Sequence, residues 1–212
     1  MPDPARGLVQ TWRKLSVSPW LRPWTERRIE RQWIAAGRLP PPPPIVKQLI
    51  VKRHQARYDL QTLIETGTFT GDMVAAMLPY FHRIITIEYD PSLAAAARRR
   101  FAGAGQVTVI EGDSATLFSR ALAELREPAL CWLDAHFTGG ATAGKEQTVP
   151  VMTELSAVAA SRVYNHVVLI DDARCFGGEN GFPTLREVRE FCEAHGGRVE
   201  VGDDIIRWYP ET

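Results

Sequence analysis

The chain has 212 residues, 45% of them hydrophobic and 24% charged, the balance of one soluble globular domain with room for a short appendage. No apolar run approaches the roughly 18 residues of a membrane-spanning helix, the start Met1-Pro2-Asp3-Pro4-Ala5-Arg6 lacks a signal peptide's apolar core, and the three scattered cysteines argue against a disulfide framework or zinc site and suit a reducing cytoplasm. The formal net charge is zero, yet residues 1–60 hold 12 Lys/Arg against 4 Asp/Glu (+8) and the remaining 152 residues hold 13 against 21 (−8).

In chain order, Trp24 to Ala36 has a helical period and ends at Gly37, the expected C-cap. Pro40 to Pro44 reads as a polyproline spacer, and Ile45 to Tyr58 as a helix opened by proline. Residues 1–59 are thus expected to form a basic helical arm, in which Trp12, Trp20, Trp24 and Trp33 also lie. Residues 60–212 are the expected main domain. Its strand-length apolar runs are Thr62 to Ile64, Arg83 to Glu88, Val107 to Ile110, Leu130 to Asp134 and Val167 to Asp171. Helical segments at Asp72 to Leu78, Pro91 to Phe101, Ser114 to Leu125, Val149 to Ala160 and Thr184 to His195 alternate with and follow them. Short apolar strands separated by helices imply a parallel sheet covered on both faces, which right-handed crossovers make doubly wound. Arg198 to Val201 and Ile205 to Tyr209 are joined only by Gly202-Asp203-Asp204, too short for a crossover helix. They are expected to pair as an antiparallel hairpin, giving a seven-stranded, mostly parallel α/β sheet of Rossmann type.

Open α/β sheets bind ligands where loops leave the carboxyl ends of the strands. Polar residues recur at those ends here. Glu65-Thr66-Gly67-Thr68-Phe69-Thr70-Gly71 is a glycine-bearing turn that lets a ligand approach the backbone closely. Glu88, 21 residues past Gly67, ends the second strand, where a carboxylate can accept from both hydroxyls of a ribose. Glu111-Gly112-Asp113-Ser114 follows the third strand: Asp113 can accept from an exocyclic amine, and either Asp113 or Ser114 can cap the next helix.

This series, with an Asp after the fourth strand and the terminal hairpin, resembles the class I S-adenosylmethionine-dependent methyltransferases over about residues 60–210. The resemblance implies S-adenosylmethionine as cofactor. Gly67 and Gly71, with Glu65 and Thr68 of the same turn, would flank its methionine portion. Glu88 would hold the ribose, and Asp113 with Ser114 the adenine end. A nicotinamide-type Gly-x-Gly-x-x-Gly turn is absent.

Two further groups bear on the acceptor. Asp134 and His136 are two apart at the end of the fourth strand and are the candidate catalytic bases, with Asp134 also expected near the cofactor. Phe137 to Thr148 reads as a loop over the site, and Phe176 to Pro183 as a wall of the acceptor pocket. Asp171-Asp172 ends the fifth strand and with Asp134 could supply oxygen ligands for Mg²⁺. This resembles the metal-assisted sugar O-methyltransferases of macrolide and aminocoumarin biosynthesis, except that His136 stands where those enzymes tend to carry another acid. The alternative is ion pairing of Asp171 or Asp172 with Arg174 or the N-terminal helices.

The reading is methyl transfer from S-adenosylmethionine to an oxygen of a small acceptor, a sugar hydroxyl being one candidate. A non-catalytic binding module of the same fold and a nucleotide-sugar-handling Rossmann enzyme are the alternatives. The opposite charges of arm and body favour docking of the arm on the domain as a substrate lid. Its Trp and Arg content also admits peripheral membrane contact. Nucleic acid is not an expected partner, because the body lacks a basic face.

Overall fold

The structure is a computed structural model that describes residues 22–134 and 149–209. His136 and the expected loop from Phe137 to Thr148 lie outside the described residues, as do Trp12 and Trp20. Helices α1 (Arg22–Ala35) and α2 (Pro44–Tyr58) lead into β1 (Thr62–Thr66). Then follow α3 (Asp72–Met77), β2 (Arg83–Glu88), α4 (Pro91–Arg100), β3 (Val107–Glu111) and α5 (Ser114–Ala123). After β4 (Ala129–Leu133), α6 (Val151–Ala159) and β5 (Val167–Ile170) comes a 3-10 turn at Ala173–Cys175. The chain ends through α7 (Leu185–Ala194) in the hairpin β6 (Arg198–Gly202) and β7 (Ile205–Tyr209). Among the described residues, no helix is long and apolar enough to cross a membrane.

One seven-stranded sheet runs in the order β3-β2-β1-β4-β5-β7-β6. The first five strands are parallel, β7 lies antiparallel to β5, and β6 is antiparallel to β7. The seven-stranded, mostly parallel sheet with a closing hairpin is therefore present. That β7 inserts between β5 and β6 follows from composition. Ile205-Ile206-Arg207-Trp208-Tyr209 is buried throughout and suits an interior strand, whereas β6 alternates and buries only Val199, as an edge tolerates. Asp203 and Asp204 in the turn both take positive φ, 55° and 60°, as a tight two-residue hairpin requires.

Each face of the sheet carries its own apolar cluster. On one side Ile64, Ile85, Cys131, Leu133, Val168 and Ile170 meet Phe118 of α5, Leu155 of α6 and Val188 of α7. On the other, Leu63, Ile84, Leu130, Trp132 and Leu169 meet α1 to α4. The alternation of neighbours between faces is the period-2 geometry of strands.

Helices α1 and α2 share that second core: Ile29, Trp33, Val46, Ile50 and Val51 are buried with Leu63 and Met77. Fully burying one such aliphatic side chain contributes about 1.5–3 kcal/mol, so apolar contact dominates the attachment. The ion pairs Lys52–Glu26 and Arg53–Glu30, both at 2.6 Å, clamp α1 to α2, and Arg38 reaches Asp203 of the hairpin turn at 2.7 Å. Arg38 and Arg53 are more than half exposed, which limits what their pairs add.

Because β2 and β4 lie on opposite sides of β1, the connections from β1 and β3 diverge at that point. Sheets of this class open a crevice there, at the carboxyl ends.

Candidate active site

Beyond the strand ends the hydrogen-bond ladder continues for one more step. Gly67 N donates to Ile87 O at 2.9 Å, Gly112 N to Glu88 O at 2.8 Å, Asp134 N to Thr66 O at 3.2 Å and Asp171 N to Leu133 O at 2.9 Å. Gly67, Asp134 and Asp171 are thus held abreast just beyond the carboxyl ends of β1, β4 and β5.

The turn after β1 needs glycine at two positions. Gly67 has φ 83° and Gly71 φ 77°, a region costly to residues with a Cβ. A Cβ at Gly67 would stand 3.0 Å from the Asp134 carbonyl oxygen, and one at Gly71 2.8 Å from the Phe101 ring. The turn is therefore pressed against both Asp134, directly after β4, and the end of α4.

Glu88 anchors the rim of this turn. Its Oε2 accepts from Phe69 N at 2.7 Å and its Oε1 from Asp90 N at 2.9 Å. Each oxygen of an ionised carboxylate has a second lone pair, so the group is fixed in place and can still receive donors from a ligand. The rings of Phe69 and Tyr89, on either side of this anchor, are 49% and 69% exposed. Neither ring is among the expected site residues, although an aromatic residue next to an acid at a strand end is a legible signal.

Glu65 and Thr68 are buried beneath the turn. The Thr86 hydroxyl donates to Glu65 Oε2 at 2.6 Å and lies 2.6 Å from the Thr68 hydroxyl. Burial pushes the Glu65 carboxyl up to about 8; the Thr86 hydrogen bond opposes the shift, and the nearby Asp134 and Glu88 add to it. Glu65 therefore keeps its proton near neutrality and braces the turn from below.

Of the two candidate caps of α5, Asp113 is the one used. Asp113, in extended conformation with φ −73° and ψ 121°, is the N-cap and accepts from Ala115 N at 2.9 Å, whereas Ser114 is the first helical residue. A cap must sit outside helical backbone geometry for its side chain to fold back on the first turn, and Asp113 meets that condition. The cap uses Asp113 Oδ1, and the side chain is otherwise exposed just beyond the carboxyl end of β3.

On the other side of β1, carboxylate oxygens of Asp134, Asp171 and Asp172 come within 4.8 Å of one another. Asp171 and Asp172 are buried. Lys47, from α2, donates to Asp171 Oδ2 and lies 3.4 Å from Asp172 Oδ1. Arg174 donates to the same Asp172 oxygen at 2.6 Å and also pairs with Asp204. Burial pushes the Asp171 carboxyl up to about 6; Lys47 opposes this, and Asp134 and Asp172 add to it. The ion pairing with Arg174 and an N-terminal helix is present, and it bears on the Mg²⁺ expectation. Three hard oxygen donors converge as a divalent ion would need, but an ammonium already bridges two of them, so the donor set does not fit a metal as it stands. The loop after the 3-10 turn closes on itself: Phe176 and Phe182 meet edge to face at 5.4 Å, and Gly177 bridges Thr184.

A further acid lies on the opposite face. Glu154 of α6 is fully buried, and neither carboxylate oxygen has a hydrogen-bond partner, although the Thr66 and Ser114 hydroxyls are close. Burial pushes it up to about 7; the nearby Ser114 and Thr66 hydroxyls oppose the shift, and Asp113 adds to it. In sequence it looks like an ordinary helix glutamate, and only tertiary packing reveals it.

No family model and no curated protein matches the sequence. Solved structures match its fold. The O-methyltransferase TomG from Streptomyces achromogenes, solved with S-adenosylmethionine, superposes with a TM-score of 0.54 at 18% identity, covering 100% of both chains. The methyltransferase PaMTH1 from Podospora anserina, bound to S-adenosylhomocysteine, gives 0.55 at 17% identity, covering 100% of this chain and 98% of that one. The chain therefore has the class I methyltransferase fold, and its polar residues gather at the carboxyl ends of that fold's central strands.

Proposed function

We propose that this chain is an S-adenosylmethionine-dependent methyltransferase acting on a hydroxyl of a small molecule, a sugar being one candidate. The observation that carries the reading is Glu88, a carboxylate at the carboxyl end of β2 held at both oxygens by the Phe69 and Asp90 amides beside the Gly67–Gly71 turn. That is a preset acceptor for a ribose diol. Gly67 and Gly71, braced by Glu65 and Thr68, form the floor for the methionine portion. Phe69 and Tyr89 offer ring faces to the adenine, and Asp113 with Ser114 lies at its far edge.

The cofactor supplies an electrophilic methyl group on a sulfonium. What remains for the chain is to hold an acceptor oxygen in line and take its proton. Asp134, held beside Gly67, is the proposed proton acceptor, with His136 the alternative two residues on. The segment before the sheet acts as a lid on the acceptor side, a role supported by the reach of Lys47 into the acid cluster. That TomG and PaMTH1 were solved with the methyl donor or its product supports the cofactor assignment.

Glu88→Ala tests this directly. Losing two charge-assisted hydrogen bonds, at about 1.5 kcal/mol each, should raise the Kd for S-adenosylhomocysteine about 100-fold in a calorimetric titration. An unchanged Kd in the folded variant would remove Glu88 from the cofactor site.

A further inference from the structure

We propose that Lys47 is the resident cation of the Asp134–Asp171–Asp172 cluster, and that its ammonium makes the acceptor side of this site independent of a divalent metal. The argument starts from the oxygens. Asp171 Oδ1 accepts from Asp172 N at 2.9 Å, and Asp171 Oδ2 accepts from Lys47. Asp172 Oδ1 is shared between Lys47 and Arg174. Three of the four oxygens of this adjacent pair are therefore engaged by N–H donors of the chain itself. A divalent ion needs such oxygens as direct ligands at close range, and it would have to displace the ammonium to gain them.

Lys47 is also held where it is. Its backbone neighbour Val46 is 1% exposed, and Ile50 and Val51 fix the same helix in the core. The Lys47 side chain is only 18% exposed, against 2% and 3% for its two partners. An isolated pair of buried carboxylates would be costly, and a compact ammonium with three donors compensates them as a metal would. Unlike a metal, it has no open coordination position for an acceptor oxygen. Its effect is to hold Asp171 and Asp172 in place beside Asp134, which makes it a positioning residue and the determinant of metal independence.

The test is a Mn²⁺ titration followed by electron paramagnetic resonance on the full chain, comparing wild type, Asp171→Asn and Lys47→Met, whose side chain keeps much of the lysine stem. Wild type should show no saturable site below about 1 mM, the weak end of protein sites for hard cations. Lys47→Met should gain one site at least about tenfold tighter, because the acids lose their counter-charge, and the double variant with Asp171→Asn should lose it again. A stoichiometric wild-type site that Asp171→Asn abolishes would overturn the proposal, and so would a folded Lys47→Met that gains none. If Lys47→Met does not fold, the wild-type and Asp171→Asn titrations decide alone. The inference rests on the acceptor-site reading only for its consequence in turnover. The Mn²⁺ titration needs neither cofactor nor acceptor, so its failure is distinct from failure of the methyl-transfer reading.

Discussion

Asp134→Asn is expected to lower methyl transfer roughly 10²–10⁴-fold, the usual contribution of a positioned proton acceptor, while S-adenosylhomocysteine affinity stays within a few-fold. The backbone of Asp134 is fixed by its bond to Thr66 O and by its contact with the Gly67 turn, so an isosteric amide preserves the local structure. What the amide cannot do is accept a proton. Initial rates with a labelled methyl donor, measured on the best acceptor from a panel of small hydroxyl compounds, read the effect. Equal rates for the two proteins would move the role to His136 or leave deprotonation to solvent. A chain that binds cofactor tightly and transfers no methyl to any acceptor would instead be a binding module.

The second large effect is on stability. The Glu154 carboxyl is raised from 4.5 to about 7 by burial. Below about pH 4.5 it is protonated in both the folded and the unfolded chain and has no linkage effect. Between about 4.5 and about 7 the unfolded chain gives up the proton while the folded chain keeps it, so stability falls as pH rises. Above about 7 the whole difference persists, about 3 kcal/mol for a shift of this size. Glu154→Gln lacks this linkage. The stability of the variant relative to wild type, from urea denaturation at each pH, should therefore rise by about 3 kcal/mol between pH 4.5 and pH 8. Glu65, raised to about 8 by its own burial, is present in both proteins and cancels from the comparison. A difference that does not change with pH would mean that the Glu154 carboxyl reaches solvent or a partner.

Much of this architecture is legible in the sequence because its signals are local. The strand runs are apolar on both faces, the glycine turn follows the first of them, and two residues between Gly202 and Ile205 leave no alternative to a hairpin. Even the interior place of β7 can be read from Ile205-Ile206-Arg207-Trp208-Tyr209, which carries apolar residues on both faces where β6 alternates. What escapes is what distance in the chain conceals. Lys47 and Asp171 are 124 residues apart, and only the docking of α2 on the sheet joins them. Asp113 and Ser114 are both good cap residues, and backbone angles rather than residue type decide between them. The burial of Glu154 depends on β1, α5 and α6 meeting around it.

The central claim is that the crevice at the ends of β1, β2 and β4 takes S-adenosylmethionine and not a dinucleotide. A calorimetric titration of the full chain with S-adenosylhomocysteine, repeated with NAD, tests it most directly. One saturable site per chain for S-adenosylhomocysteine and no heat with NAD is the predicted result. No binding of S-adenosylhomocysteine, or equal binding of NAD, would contradict it.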